Sequence, residues 1–183
     1  MEVISNSEDH ELWGGAVKCR FPNKYIDVSQ RQEVPDNQEI FVHNEKDNTL
    51  IFEIVEPCEE DDSECCAFYF SDLVSLNEAD DAKLLPQRSI EGISTSLTGM
   101  GAKCFLACGT QTLNRRYNNS SSVGNPSQEV IQVIICVIRL SKYNSDILIS
   151  YNGLDAHEET AMIDSIIKSF VVLNPSLFGE GDK

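Results

Sequence analysis

The sequence predicts an α+β fold, a mostly antiparallel β-sheet flanked by helices on both faces. Three observations predict it. Runs of β-branched and aromatic residues follow one another without the regular strand-helix-strand alternation of a parallel sheet. A helix with an apolar stripe of Met162, Ile163, Ile166, Ile167 and Phe170 closes the chain. The length of 183 residues and the 41% hydrophobic share suffice for one domain with its own core. No repeat period or Pro/Gly-rich linker divides the chain, so residues 1–183 are expected to form a single domain.

The elements follow in order. Residues 1–10 are expected to be flexible. Ala16–Phe21 and Glu39–His43 alternate as strands do. Thr49–Glu56 fits helical spacing instead: Leu50, Ile51, Ile54 and Val55 would share one side, Asp47 or Asn48 would cap the start, and Pro57 would stop the helix. Pro57–Glu64 (PCEEDDSE) reads as an acidic surface loop, and Cys65–Leu76 as a second helix. Ser89–Leu97 is a further strand candidate. Ala102–Thr110, Glu129–Leu140 and Asp146–Tyr151 are strands, with Asn114–Ser127 a second surface loop broken by Gly124 and Pro126. The last helix runs from about His157 to Val172, with Asp155 as N-cap and Glu158 completing a capping box.

Charge excludes several functions. The chain carries 14 basic and 30 acidic side chains, a net charge of -16, which repels nucleic-acid backbones and anionic membranes. The apolar run Val130–Leu140 is far short of the ~20 residues a spanning helix needs, and the acidic N-terminus lacks the basic and apolar stretches of a secretion signal. Neither nucleic acid nor membrane is expected as a partner. The seven cysteines are an odd number spread through apolar segments, as reduced thiols of cytosol or nucleus would be.

Motifs for chemistry are missing. No G-x-S-x-G nucleophile turn, phosphate-binding glycine loop or C-x-x-C ligand pair occurs. Cys104 and Cys108 share a strand face with Leu106, as buried small hydrophobes do. A carboxylate glycosidase would need an aromatic-lined cleft, and Trp13 is the one tryptophan. No catalytic residue, metal or cofactor is expected.

The strongest anomaly lies between Asp47 and Asp81, where twelve acids occur without a lysine or arginine. Glu53 and Glu56, three apart on the expected helix, would repel each other by a few tenths of a kcal/mol, about what such like-charge pairs cost. A basic partner would relieve that repulsion. A solvated acidic face would explain the run equally well.

Ordered segments then carry a resemblance. Glu11–Val17 (ELWGGAV), Phe21-Pro22, Tyr25–Ser29, Arg31, Val34–Val42 (VPDNQEIFV), Leu50–Glu56 (LIFEIVE), Ile138–Leu140, Asp146–Asn152, Ser169–Val172 and Ser176–Gly179 resemble the Ran guanine nucleotide release factor family, the Mog-type Ran-binding proteins. The resemblance spans nearly the whole chain. It departs at Asn174, where the family tail usually has an acid, and in the two loops 57–64 and 114–127.

The resemblance implies a non-enzymatic partner of the GTPase Ran that acts in nuclear protein import, in nucleus and cytoplasm, and is monomeric alone. It implies an antiparallel sheet flanked by helices, shared in outline with PsbP-type proteins. It also implies that acidic surface residues bind Ran: Glu53 and Glu56, with Asp36 and Glu39 as neighbours and Asp27 and Trp13 as further candidates. The alternative is a PsbP-like adaptor or cation-binding protein that acts on no GTPase.

Overall fold

In the computed structural model, which describes residues 6–115, 127–154 and 159–179, the sheet is built around one long strand. Strand β9 (Ser127–Leu140) pairs along thirteen positions with β8 (Lys103–Arg115) and along nine with β10 (Ser145–Gly153). Its residues Val133–Ile138 are all fully buried. A strand covered on both faces needs no polar alternation, which is why this stretch is a continuous apolar run.

β10 continues outward to β5 (Thr49–Val55), β4 (Gln38–His43) and β3 (Tyr25–Asp27). On the other side β8 carries β6 (Asp81–Leu84) and β7 (Arg88–Ser89), giving an eight-stranded antiparallel sheet. A smaller three-stranded sheet joins β1 (Ser7–Leu12), β2 (Val17–Pro22) and β11 (Val171–Val172).

Helices cover both faces, as expected. The first face meets the small sheet, α2 (Thr95–Gly99) and α3 (Glu159–Ser169), with Leu50, Phe52, Ile134 and Ile138 packed in one core with Phe21, Leu97 and Ile163. Met162, Ile163, Ile166 and Ile167 of α3 are buried there. At about 1.5–3 kcal/mol per buried side chain, this stripe outweighs any intrinsic helix preference of so short a segment.

The second face meets α1 (Cys65–Leu76), whose Cys65, Cys66 and Tyr69 pack over Ala107, Ile135 and Val137. Gly109 permits that approach. A Cβ on it would lie 2.6 Å from the Lys83 carbonyl oxygen and 2.9 Å from the Phe70 ring.

Four expectations are corrected. Thr49–Val55 is a central strand, not a helix: Leu50 and Phe52 are buried on the first face, and Ile51 and Val55 lie on the second. Two partly apolar faces put aliphatics at neighbouring positions, and those positions also fit a helical stripe. Ser89–Leu97 is not one strand, because Ser94 caps α2 by accepting a bond from the Leu97 amide. Ser7–His10, expected to be flexible, belong to β1, where the His10 ring stacks on Phe21 at 3.5 Å. The last helix ends at Ser169, and Val171–Val172 pair with Lys18 and Val17. The Asp155 and Glu158 caps and residues 116–126 of the second loop lie outside the described residues.

Candidate partner-binding site

The strand geometry of β5 decides where its acids point. Residues on a strand alternate between faces, so Glu53 projects from the second face with Ile51 and Val55. Directly opposite it on β4 stands Gln38. The Gln38 side-chain amide donates to Glu53 Oε1 at 2.9 Å, and that of Asn37 at 3.3 Å. Asn37 also donates to the Ile54 carbonyl at 3.0 Å and accepts from the Ile54 amide at 2.9 Å. This ties the turn at Pro35–Gln38, closed by a 2.9 Å bond from the Gln38 amide to the Pro35 carbonyl, to the end of β5.

Asp36 on that turn and Glu56 just past β5 are exposed. Asp36, Glu53 and Glu56 therefore gather at one end of the sheet, and among the described residues their carboxylates meet no cation. Some acids elsewhere are paired: Asp9 with Arg20 at 2.9 Å, Glu11 with Lys18 at 2.8 Å, Asp164 with Arg88 at 2.9 Å.

The other candidates lie on the opposite face. Glu39 neighbours Phe52 and accepts from the Trp13 backbone amide at 2.5 Å. Burial pushes its carboxyl up, against the pull of that amide, and Asp27 adds to the rise. Trp13 opens the turn between β1 and β2 with a φ of 48°, a region a bulky residue rarely adopts, followed by Gly14 and Gly15 at 64° and 87°. Glu39 is thus a clamp on a strained turn. Asp27 closes its own turn, accepting from the Ser29 amide and hydroxyl at 2.8 Å each. The six candidates divide into Glu53 on the second face, with the exposed Asp36 and Glu56 near the same end of the sheet, and Trp13, Asp27 and Glu39 on the first face.

The acidic loop 57–64 is held rather than loose. Arg139, whose side chain is 13% exposed, reaches out of β9 to the Cys58 carbonyl at 2.9 Å, the Glu60 carbonyl at 2.8 Å and Asp62 Oδ1 at 3.0 Å. Its Nε lies 3.7 Å from the buried Asp146 carboxylate. Tyr69 donates to Asp146 at 2.8 Å and contacts the Glu56 carbonyl at 3.2 Å. Lys103 completes the network at 2.6 Å from Asp62. Composition did not reveal these residues, although an arginine inside the buried run Val130–Leu140 requires a charged or carbonyl partner.

The network has a pH signature. Lys103 foremost, with Arg139, lowers the Asp62 carboxyl below 3.8, so the bond contributes fully above the unfolded value and is lost as pH falls through the folded one. Asp62→Asn should therefore lower stability at neutral pH by about 1 kcal/mol or less, since the pair is partly solvated. The difference from wild type should close in acid below pH 3.8. Urea titrations across that range measure it, and a gap that persists in acid would assign the effect to packing.

Burial pushes the thiols of Cys19, Cys104 and Cys136 up, that of Cys104 to about 12, so they remain protonated core groups. Among the described residues no three His, Cys, Asp or Glu side chains converge to hold a metal. No helix among them is long and apolar enough to cross a membrane.

Comparison with known proteins agrees with this architecture. The family model described as "Ran-interacting Mog1 protein" matches residues 10–154. The chain is 31% identical over 149 residues to the nuclear import protein mog1 of Schizosaccharomyces pombe, covering 78% of this chain and 75% of that one. It is 28% identical over 144 residues to the Ran guanine nucleotide release factor of Danio rerio, covering 77% and 75%. In fold it is similar to the Saccharomyces cerevisiae Ran-binding protein Mog1p, with a TM-score of 0.73 over 95% of this chain and 99% of that one, at 21% identity.

Proposed function

The chain belongs to the Ran-interacting Mog1 protein family, and from that membership we propose that it binds the small GTPase Ran, promotes release of its guanine nucleotide and thereby supports nuclear protein import, acting in nucleus and cytoplasm. What supports a site for that activity on this chain is the group Asp36, Glu53 and Glu56, carboxylates without a cation among the described residues at one end of the sheet. Such a group favours a partner that brings lysine or arginine.

No bond need be made or broken. A GTPase holds its nucleotide through Mg²⁺, a lysine and backbone amides. A protein that binds better to the nucleotide-free state must lower nucleotide affinity by the same factor, because linkage is reciprocal. This chain then acts as a release factor and not as an enzyme in the covalent sense. Release of a fluorescent guanine nucleotide from purified Ran should accelerate when the chain is added in excess. An unchanged release rate together with no detectable binding would overturn the reading.

A further inference from the structure

Glu53 stands beside a partly exposed aliphatic surface. On the second face of the large sheet, α1 packs over β6, β8 and β9. The strands beyond it present Ile51 of β5, Ile40 and Val42 of β4 and Ile26 of β3 on that same face, paired Ile51 with Ile40 and Val42 with Ile26. Ile40, Val42 and Ile51 are half-buried and Ile26 is 41% exposed. Their counterparts on the first face, Phe41, Leu50 and Phe52, are buried under the second sheet and its helices. Four β-branched aliphatics thus face outward in adjoining rows, with Glu53 in the next row of β5.

We propose that this aliphatic face is the affinity-bearing part of the Ran contact, occupied by a partner surface that sets apolar side chains beside lysine or arginine. The inference rests on the proposed function and adds what the charges alone do not supply. Charge complementarity selects the occupant: Asp36, Glu53 and Glu56 meet no cation among the described residues, so an apolar segment lacking basic residues would leave them unmatched. Exposed acids steer encounter and set the salt dependence of association, whereas apolar side chains at the centre of a contact govern how long it lasts.

The two parts are separable. Ile40→Thr with Ile51→Thr keeps β-branched residues in the strands while removing apolar contact. Binding of purified Ran by the double variant, followed by surface-immobilised kinetics at several salt concentrations, should show dissociation about tenfold faster or more, with the salt slope of association unchanged. Folding is checked by thermal unfolding, and Ile26→Ser, at the most exposed position, decides by a smaller change in the same direction if the double variant does not fold. Wild-type dissociation by the folded variant, with binding lost on Glu53→Lys, would overturn the aliphatic contact and leave the acidic one. Wild-type binding by both would overturn the acidic reading as well. A concentration-dependent dimer of the chain that these substitutions dissolve would assign the face to a second copy and overturn the proposal.

Discussion

Replacing Arg139 with methionine is expected to lower the free energy of unfolding by about 3–5 kcal/mol at neutral pH, the range for breaking a buried ion pair from one side. Methionine fills similar volume, so the loss reports interactions rather than a cavity. Asp146, 1% exposed, would lose its cation and keep only neutral donors, the Tyr69 hydroxyl and the Cys58 backbone amide, and the Cys58 and Glu60 carbonyls would lose their donor. Burial already pushes the Asp146 carboxyl up, against Tyr69 and Arg139. A carboxyl with a raised folded pKa costs nothing below its unfolded value, and the cost grows as pH rises toward the folded one. The deficit should therefore be larger at pH 8 than at pH 5, and the further change Asp146→Asn should return part of it. Urea unfolding at both pH values tests this, and a deficit under 1 kcal/mol at pH 8 would mean the clamp is dispensable.

Reversing Glu53 and Glu56 together to lysine should weaken Ran binding by about 100-fold or more, since close charge pairs across an interface couple by roughly 1.5–7 kcal/mol. It should abolish stimulated nucleotide release. The fold should survive: Glu56 is exposed, and Glu53 receives only amide bonds from Asn37 and Gln38, whose side chains can turn their oxygens toward an ammonium group. Association of the wild-type chain should slow steeply with added salt, and that of the variant should not recover at low salt. Normal release by a folded double variant would remove these two residues from the site.

The contrast between elements shows what the sequence encodes locally. Helix α1 occupies the same Cys65–Leu76 span that spacing predicts, and β9 follows the apolar run that ends at Leu140. In both, neighbours along the chain carry the pattern. β5 reads locally as a helix because its surroundings are set by remote strands: β10 on one side and β4 on the other leave it partly apolar on both faces, and no local feature separates that from a short helix. β1 shows no apolar alternation in sequence because Ser7–Glu11 are all polar, and its inward contacts are Leu12 at its end and a histidine stacked on a ring eleven residues away.

The site was legible in part for the same reason. The acids of LIFEIVE stood out as residue types, but their sides depend on the pairing of β5. With β5 a strand, Glu53 faces away from Glu39, which belongs to the clamp on the Trp13 turn. The partners of Arg139 come from β10 and the acidic loop, and Tyr69 of α1 and Lys103 of β8 hold those partners in turn. Sequence could signal that the arginine needed partners, not which ones.

The pairing of Val171 and Val172 with Lys18 and Val17 has a consequence for the order in which the chain assembles. The hairpin of β1 and β2 emerges early in synthesis, yet one edge of β2 has no partner until the last segment arrives. The Leu173 amide, bonded to the Ala16 carbonyl at 2.8 Å, helps close that edge, while the Val172 amide, bonded to Ser96 Oγ at 2.9 Å, ties β11 to α2. An open strand edge is a template for pairing with another nascent chain. A chain cut before Val171 would thus leave that edge of β2 open and is expected to aggregate through its N-terminal hairpin.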